Sequence, residues 1–137
     1  MTGTLIDTNI LIDIATGNPA WKAWSSRQLQ LALALGPALI NDVIFAEYSV
    51  RLPDLETVQT SLKLAEVNLI AMPPMALFMA GKAFQRYRAN GGDKHFVLPD
   101  FFIGAHAAAM SLPLLTRDVR RYSTYFPGIE LIAPTSP

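Results

Sequence analysis

Four carboxylates of this chain, Asp7, Glu47, Asp100 and Asp118, interrupt otherwise apolar stretches: Thr4-Leu5-Ile6-Asp7, Ile44-Phe45-Ala46-Glu47-Tyr48, Leu98-Pro99-Asp100-Phe101-Phe102-Ile103 and Leu114-Leu115-Thr116-Arg117-Asp118. A charge set among hydrophobic residues is costly to bury unless it is paired or coordinates a cation. The chain has only 11 acidic residues, so four in such settings ask for a shared reason. Two carboxylates about 4 Å apart repel by on the order of 4 kcal/mol at an effective dielectric of about 20, and a divalent ion removes that conflict. There is no cysteine and there are only two histidines, so the ligands on offer are oxygens, which suit Mg²⁺ and Mn²⁺ better than Zn²⁺ or copper. Mg²⁺ takes one or two carboxylates, keeps several waters and shares phosphate oxygens, a chemistry fitted to attack of activated water on a phosphodiester.

Taken singly, each acid has an ordinary use. Asp7 can cap a helix, Asp100 can be a first-turn acid favoured by the helix dipole, Glu47 can face solvent, and Asp118 can pair with Arg117, Arg120 or Arg121 at the surface. The elements around them decide whether they meet. Thr4-Leu5-Ile6 reads as a strand, and Asp7-Thr8-Asn9 as the cap of a helix through Ile10-Leu11-Ile12. Pro19 opens a helix in which Trp21, Trp24, Leu31 and Leu35 keep helical spacing up to Gly36-Pro37. Ala38-Leu39-Ile40 is a second strand, and Asn41-Asp42 cap a helix from Val43 to Leu52. Asp54 caps the next helix, with Leu55, Val58, Leu62 and Ala65 on one face; Asn68 to Met72 reads as a short strand closed by Pro73-Pro74. Leu77, Ala80, Phe84 and Tyr87 form the stripe of a further helix that ends at Asn90-Gly91-Gly92 and pairs with the one before it. Pro99-Asp100 opens an alanine-rich helix through Met110, Leu114-Leu115-Thr116 is a buried strand, Val119, Tyr122 and Phe126 line a short helix, and Ile129 to Ile132 is the last strand.

Short apolar strands alternating with helices define a three-layer α/β/α sandwich with a central, mainly parallel sheet. Sites in such sheets form at the carboxyl ends of the strands. Asp7 and Asp118 follow strand ends, Asp100 begins a helix leading into a strand, and Glu47 lies on the helix after the second strand. All four can meet above one sheet edge. Asn9 and Thr116 are placed to hydrogen-bond a carboxylate there, and Arg117, Arg120 and Arg121 to hold phosphate. Gly104, one turn beyond Asp100, would let that helix approach the strand carrying Asp7, or else marks a close packing contact. His106 points ~120° away from Asp100 on an ideal helix and is assigned to packing; His95 is assigned to a solvated loop.

At 137 residues the chain reads as a single domain, residues 1–137, large enough for a full core. Hydrophobic residues make up 51% and charged ones 16%, which excludes disorder. Net charge is zero, so a polyanion would be held by a local patch or through metal rather than by the whole surface. The absence of cysteine fits a reducing compartment. Asp7 and Asp13 spoil the N-terminus as a secretory signal, and no apolar run reaches the ~18 residues of a membrane span. A soluble, cytoplasmic protein is expected.

These pieces resemble the PIN-domain ribonucleases, and within them the VapC-like toxins of bacterial type II toxin–antitoxin pairs. The likeness rests on Leu5-Ile6-Asp7-Thr8-Asn9, on Glu47, on Leu98-Pro99-Asp100 with Ile103 and Ala105, and on Leu114-Leu115-Thr116-Arg117-Asp118 with Tyr122 and Phe126. It implies Mg²⁺ or Mn²⁺ dependence, endonucleolytic cleavage of RNA, a homodimer, and inhibition by a small cognate antitoxin that occupies the site. By the same likeness, Asp7 and Asp100 would be the principal metal ligands. Glu47 and Asp118 would complete the acidic, catalytic pocket, with Asn9 and Thr116 supporting them and Arg117 and Arg120 binding substrate. Two other readings compete: a PIN-like binding module without activity, and a phosphotransfer enzyme with Asp7 as aspartyl nucleophile. The second lacks a well-placed lysine, since none precedes Lys22.

Overall fold

Five short strands, β1 (Thr4–Ile6), β2 (Ala38–Ile40), β3 (Val67–Leu69), β4 (Leu114–Leu115) and β5 (Leu131–Ile132), form one sheet in the order β3-β2-β1-β4-β5. Every neighbouring pair is parallel, with Leu5 registered against both Leu39 and Leu114. The structure is a computed structural model and describes residues 2–92 and 98–135. Within those residues the helices are α1 (Thr8–Thr16), α2 (Lys22–Leu35), α3 (Asp42–Ser49), α4 (Leu55–Leu64), α5 (Pro74–Ala89), α6 (Leu98–Met110) and α7 (Val119–Ser123). The seven helices flank the sheet, giving the expected α/β/α sandwich.

The strand sequences explain the layers. Parallel strands covered on both faces need apolar residues without alternation, and Leu5, Ile6, Ala38, Ile40, Leu114 and Leu115 are all fully buried. The chain builds outward from β1 through β2 to β3, then returns to the other side of β1 for β4 and β5. The direction of winding therefore switches between β1 and β4, where adjacent connections leave the sheet in opposite senses and open a crevice at its carboxyl edge. Asp7 caps α1 directly after β1, its side chain accepting from the Thr8 amide, and Gly17 closes that helix in the left-handed conformation at φ 68°.

Several expectations shift in detail. The third strand begins at Val67, ahead of the expected Asn68, and ends at Leu69, short of Pro73-Pro74, where α5 starts. The last strand contracts to Leu131–Ile132, and α3 ends at Ser49 rather than Leu52. On α2 the buried residues are Ser25, Leu29 and Ala32, while Leu31 and Leu35 are exposed. Helix α5 does not pair mainly with α4 but packs against α6, burying Ala76, Ala80 and Ala83 and leaving Leu77 exposed. Alanines at one-turn spacing let the two helix backbones come close, which a leucine face would prevent. A second apolar cluster of Phe101, Ala105 and Phe126 fills that junction. Gly104 serves it: a Cβ there would lie 2.3 Å from the Phe126 ring, so the glycine admits Phe126 rather than β1. Among the described residues no helix is long and apolar enough to cross a membrane. His95 lies outside the described residues.

Candidate metal centre

Asp7 stands at the switch point and is 3% exposed. Its Oδ1 accepts from the Thr8 amide at 2.8 Å, and its Oδ2 accepts from the Thr116 hydroxyl at 2.7 Å, the Tyr122 hydroxyl at 2.9 Å and the Asn9 amide at 3.4 Å. The donors come from α1, the end of β4 and α7, so three elements fix one carboxylate. Thr116 itself accepts from the Asp118 amide at 3.0 Å and from Asn9 at 3.4 Å, and the Arg117 amide donates to Asn9 Oδ1 at 3.3 Å. Asn9 and Thr116 thus both hydrogen-bond Asp7 and each other.

Glu47 extends from α3 toward α1, where its Oε1 accepts from the Thr8 hydroxyl at 2.6 Å. It is half-buried and turned toward the site. Asp100, in the first turn of α6, is also 3% exposed. Arg121 connects it to the fourth acid: one guanidinium nitrogen lies 3.6 Å from Asp100 Oδ1, and Nε lies 2.8 Å from Asp118 Oδ2.

The electrostatics follow from burial. Desolvation raises the pKa of Asp7 above the ordinary carboxylate range, against the lowering effect of its bonds from Thr116, Tyr122 and Thr8 and of the Arg121 charge. Glu47 is also raised, by burial first and by the charge of Asp7, against its bond from Thr8. Tyr122 is pushed well up by burial and by the Asp7 and Asp100 charges, so it stays a phenol and a hydrogen-bond donor. Burial works against the charge of Arg121, but Asp100, Asp118, Tyr122 and Asp7 together hold its guanidinium more firmly protonated than usual.

Not every basic residue expected at the site is turned to it. Arg117 forms a forked pair with Asp13, Nε to Oδ2 at 2.7 Å and a terminal nitrogen to Oδ1 at 3.0 Å, and its guanidinium lies 5.0 Å from the Trp21 ring centroid. Asp13 is fully buried and also accepts from Ser25 at 2.7 Å. Arg117 is therefore committed to a structural acid, while Arg120 is exposed on α7. His106 is buried, with Nδ1 3.0 Å from the amide nitrogen of Asn41, the residue that caps α3; it packs, as its helical phase implied. The sequence reading gave no site role to Thr8 or to the Tyr122 hydroxyl, whereas Arg121, one of the arginines offered as a partner for Asp118, does pair with it.

Among the described residues no group of three or more Asp, Glu or His side chains converges as an ion cage would require. The donor set nonetheless fits a hard cation: two nearly inaccessible carboxylates and two more accessible ones, all oxygen donors. Mg²⁺ needs one or two protein carboxylates and fills its remaining positions with water.

A doubly wound, parallel α/β domain with an acidic pocket at its switch point is the class that fold and site define. Residues 4–127 match the family model of the PIN domain, and the chain belongs to that family. No curated protein matches the sequence. Among solved structures, the chain is similar to VapBC2 from Rickettsia felis bound to a promoter DNA fragment, with a TM-score of 0.73 and 20% identity over 96% of this chain and 98% of the other. DNA-bound VapBC from Salmonella typhimurium aligns with a TM-score of 0.72 at 17% identity, covering 97% and 98%. A toxin–antitoxin complex from Klebsiella pneumoniae aligns with a TM-score of 0.69 at 26% identity, covering 98% and 99%.

Proposed function

We propose that this protein is a Mg²⁺-dependent endoribonuclease, also served by Mn²⁺, and the toxin of a cytoplasmic toxin–antitoxin pair. The observation that carries the reading is the burial of Asp7 and Asp100, each 3% exposed, at the carboxyl edge of the sheet and beside the charges of Glu47 and Asp118. A fold spends stability on such an arrangement where a cation is to be held. When bound, the ion polarises a phosphoryl oxygen and brings water to a nucleophilic state near neutral pH.

The protein's own groups then have distinct tasks. Asp7 and Asp100 would hold the ion. Thr116, Tyr122, Asn9 and the Thr8 amide fix the plane of Asp7, so that its lone pairs face one direction. Glu47, raised by its half-buried setting, is suited to accept a proton from the attacking water, with Asp118 positioning that water from the other rim. Arg120 would guide the phosphodiester; Arg117 supports the site from beneath through Asp13.

Several of the similar structures are toxin–antitoxin complexes, which supports a small antitoxin as partner; the working form in this reading is a homodimer. The exposed Met75, Leu77 and Phe78 on α5 supply apolar surface for such contacts. So does a cleft of about 300 Å³ beside Glu47, lined by Val43, Ala46, Leu98, Pro99 and Phe102.

Purified protein incubated with RNA is expected to cut internally in Mg²⁺ or Mn²⁺, to stop in EDTA, and to lose activity as Asp100→Asn. Cleavage that persists in both controls would remove the metal mechanism. A protein that cuts no RNA in any divalent ion would be a binding module.

A further inference from the structure

Among the described residues, Arg121 bridges two of the four acids directly. It pairs with Asp118 at 2.8 Å and Asp100 at 3.6 Å, and it stands in electrostatic contact with Asp7 and Glu47. Its side chain is 44% exposed, while that of Asp100 is 4% exposed. The guanidinium thus links a buried carboxylate, Asp100, to a partly exposed one, Asp118. A planar fork with nitrogens on both sides can bridge two carboxylates, which an ammonium cannot do. Two of the acids are drawn onto one guanidinium.

We infer that Arg121 is a tethered counter-ion that occupies the acidic pocket in the metal-free protein and must leave it for a divalent cation to bind at Asp7 and Asp100. This inference rests on the metal-nuclease reading and adds a regulatory step to it. Before loading, the latch compensates carboxylates that would otherwise repel. During loading it competes, and the apparent affinity for the ion falls by the fraction of molecules with the latch open. Arg121 lies on the short helix α7, Val119–Ser123, which Asp118 precedes, and its side chain is partly exposed, so the proposed release is a rotamer change of that arm.

Binding of Mn²⁺ to the whole protein, followed by water-proton relaxation, tests the latch without recourse to cleavage. Arg121→Gln is expected to tighten Mn²⁺ binding by about tenfold or more, the gain from removing an occupant held in most molecules. Arg120→Gln, which removes the same charge one residue away, should change it by no more than about twofold, because an exposed charge is screened. Arg121→Lys keeps the charge and protects the fold, and should tighten binding by a smaller factor. In EDTA, Arg121→Gln should melt lower than the parent and recover on addition of Mn²⁺. An affinity that is unchanged or weaker in both Arg121 variants, with Mn²⁺ still bound by the parent, overturns the latch and leaves the metal reading intact. A gain as large in Arg120→Gln also overturns it. Absence of Mn²⁺ binding in every form overturns both.

Discussion

Asp7 must be charged to hold a cation, in a place where the fold makes charge expensive. Burial raises its folded pKa above its unfolded value, and the consequence for stability has a definite sign. Between the ordinary carboxylate value and the raised one, the native state binds a proton that the unfolded chain has released. Through that window the metal-free protein loses stability from this group as pH climbs, and above it the loss is complete. Asp7→Asn keeps the shape without the charge. It is expected to raise the melting temperature in EDTA at pH 7 while abolishing cleavage, and the stabilisation should shrink as pH falls toward about 4. Thermal melts by circular dichroism across that range check the sign; a variant that melts lower than the parent at pH 7 would contradict it. At this scale the acids were legible, because a charge inside an apolar run is conspicuous. Their partners were legible in part: Asn9, Thr116 and the Asp118–Arg121 pair were anticipated, whereas Thr8 reads as the first residue of a helix and Tyr122 as part of a core stripe, and only the fold turns their hydroxyls toward the carboxylates. Asp13 escaped notice for a related reason: set within Ile10-Leu11-Ile12-Asp13-Ile14, it looked like a break in a signal sequence, yet it is fully buried and paired with Arg117.

The elements hold the site by pairs of unlike contacts. Arg117, at the end of β4, reaches back to Asp13 on α1, and Ser25 on α2 completes that carboxylate's bonds. This ties the strand end bearing Thr116 to the helix that Asp7 caps. Arg117→Ala leaves a buried carboxylate without its cation, a change that typically costs about 3 kcal/mol or more. The variant is expected to melt markedly lower in EDTA and in Mn²⁺ alike, measured by calorimetry. A variant of parental stability whose defect lay only in RNA binding would instead restore Arg117 to the phosphate-binding role its position suggested. Order and type of the elements were legible throughout, from caps at Asp7, Asn41 and Asp54 and breaks at Gly36-Pro37 and Pro73-Pro74. Faces were harder. Helical spacing of large residues marked Leu31, Leu35 and Leu77 for burial, whereas the buried faces of α2 and α5 use Ser25, Ala32, Ala76, Ala80 and Ala83. Small residues bury where backbones approach, and which backbones approach is a tertiary fact. Gly104 shows the same limit: the sequence marked a close contact, and the packing decided that Phe126 fills it.

For the molecule as a whole, sheet order does what no single residue can. The order β3-β2-β1-β4-β5 puts the end of β1 beside the end of β4, so residues 7 and 116, remote in sequence, come within 2.7 Å of one another. The alternation of short apolar strands and helices was sufficient to anticipate a carboxyl-edge site, since any doubly wound sheet has one. With zero net charge, the proposed binding of RNA would have to rest on a local patch or on the proposed ion rather than on the whole surface. The central claim is that the four acids form one divalent-cation pocket. Anomalous scattering from crystals soaked in Mn²⁺ tests it most directly. The account predicts a single strong peak at about 2.1 Å from carboxylate oxygens of both Asp7 and Asp100, with the Arg121 guanidinium displaced from Asp100. A protein that cuts RNA in Mn²⁺ but shows its peak elsewhere, or none at these two carboxylates, would contradict it.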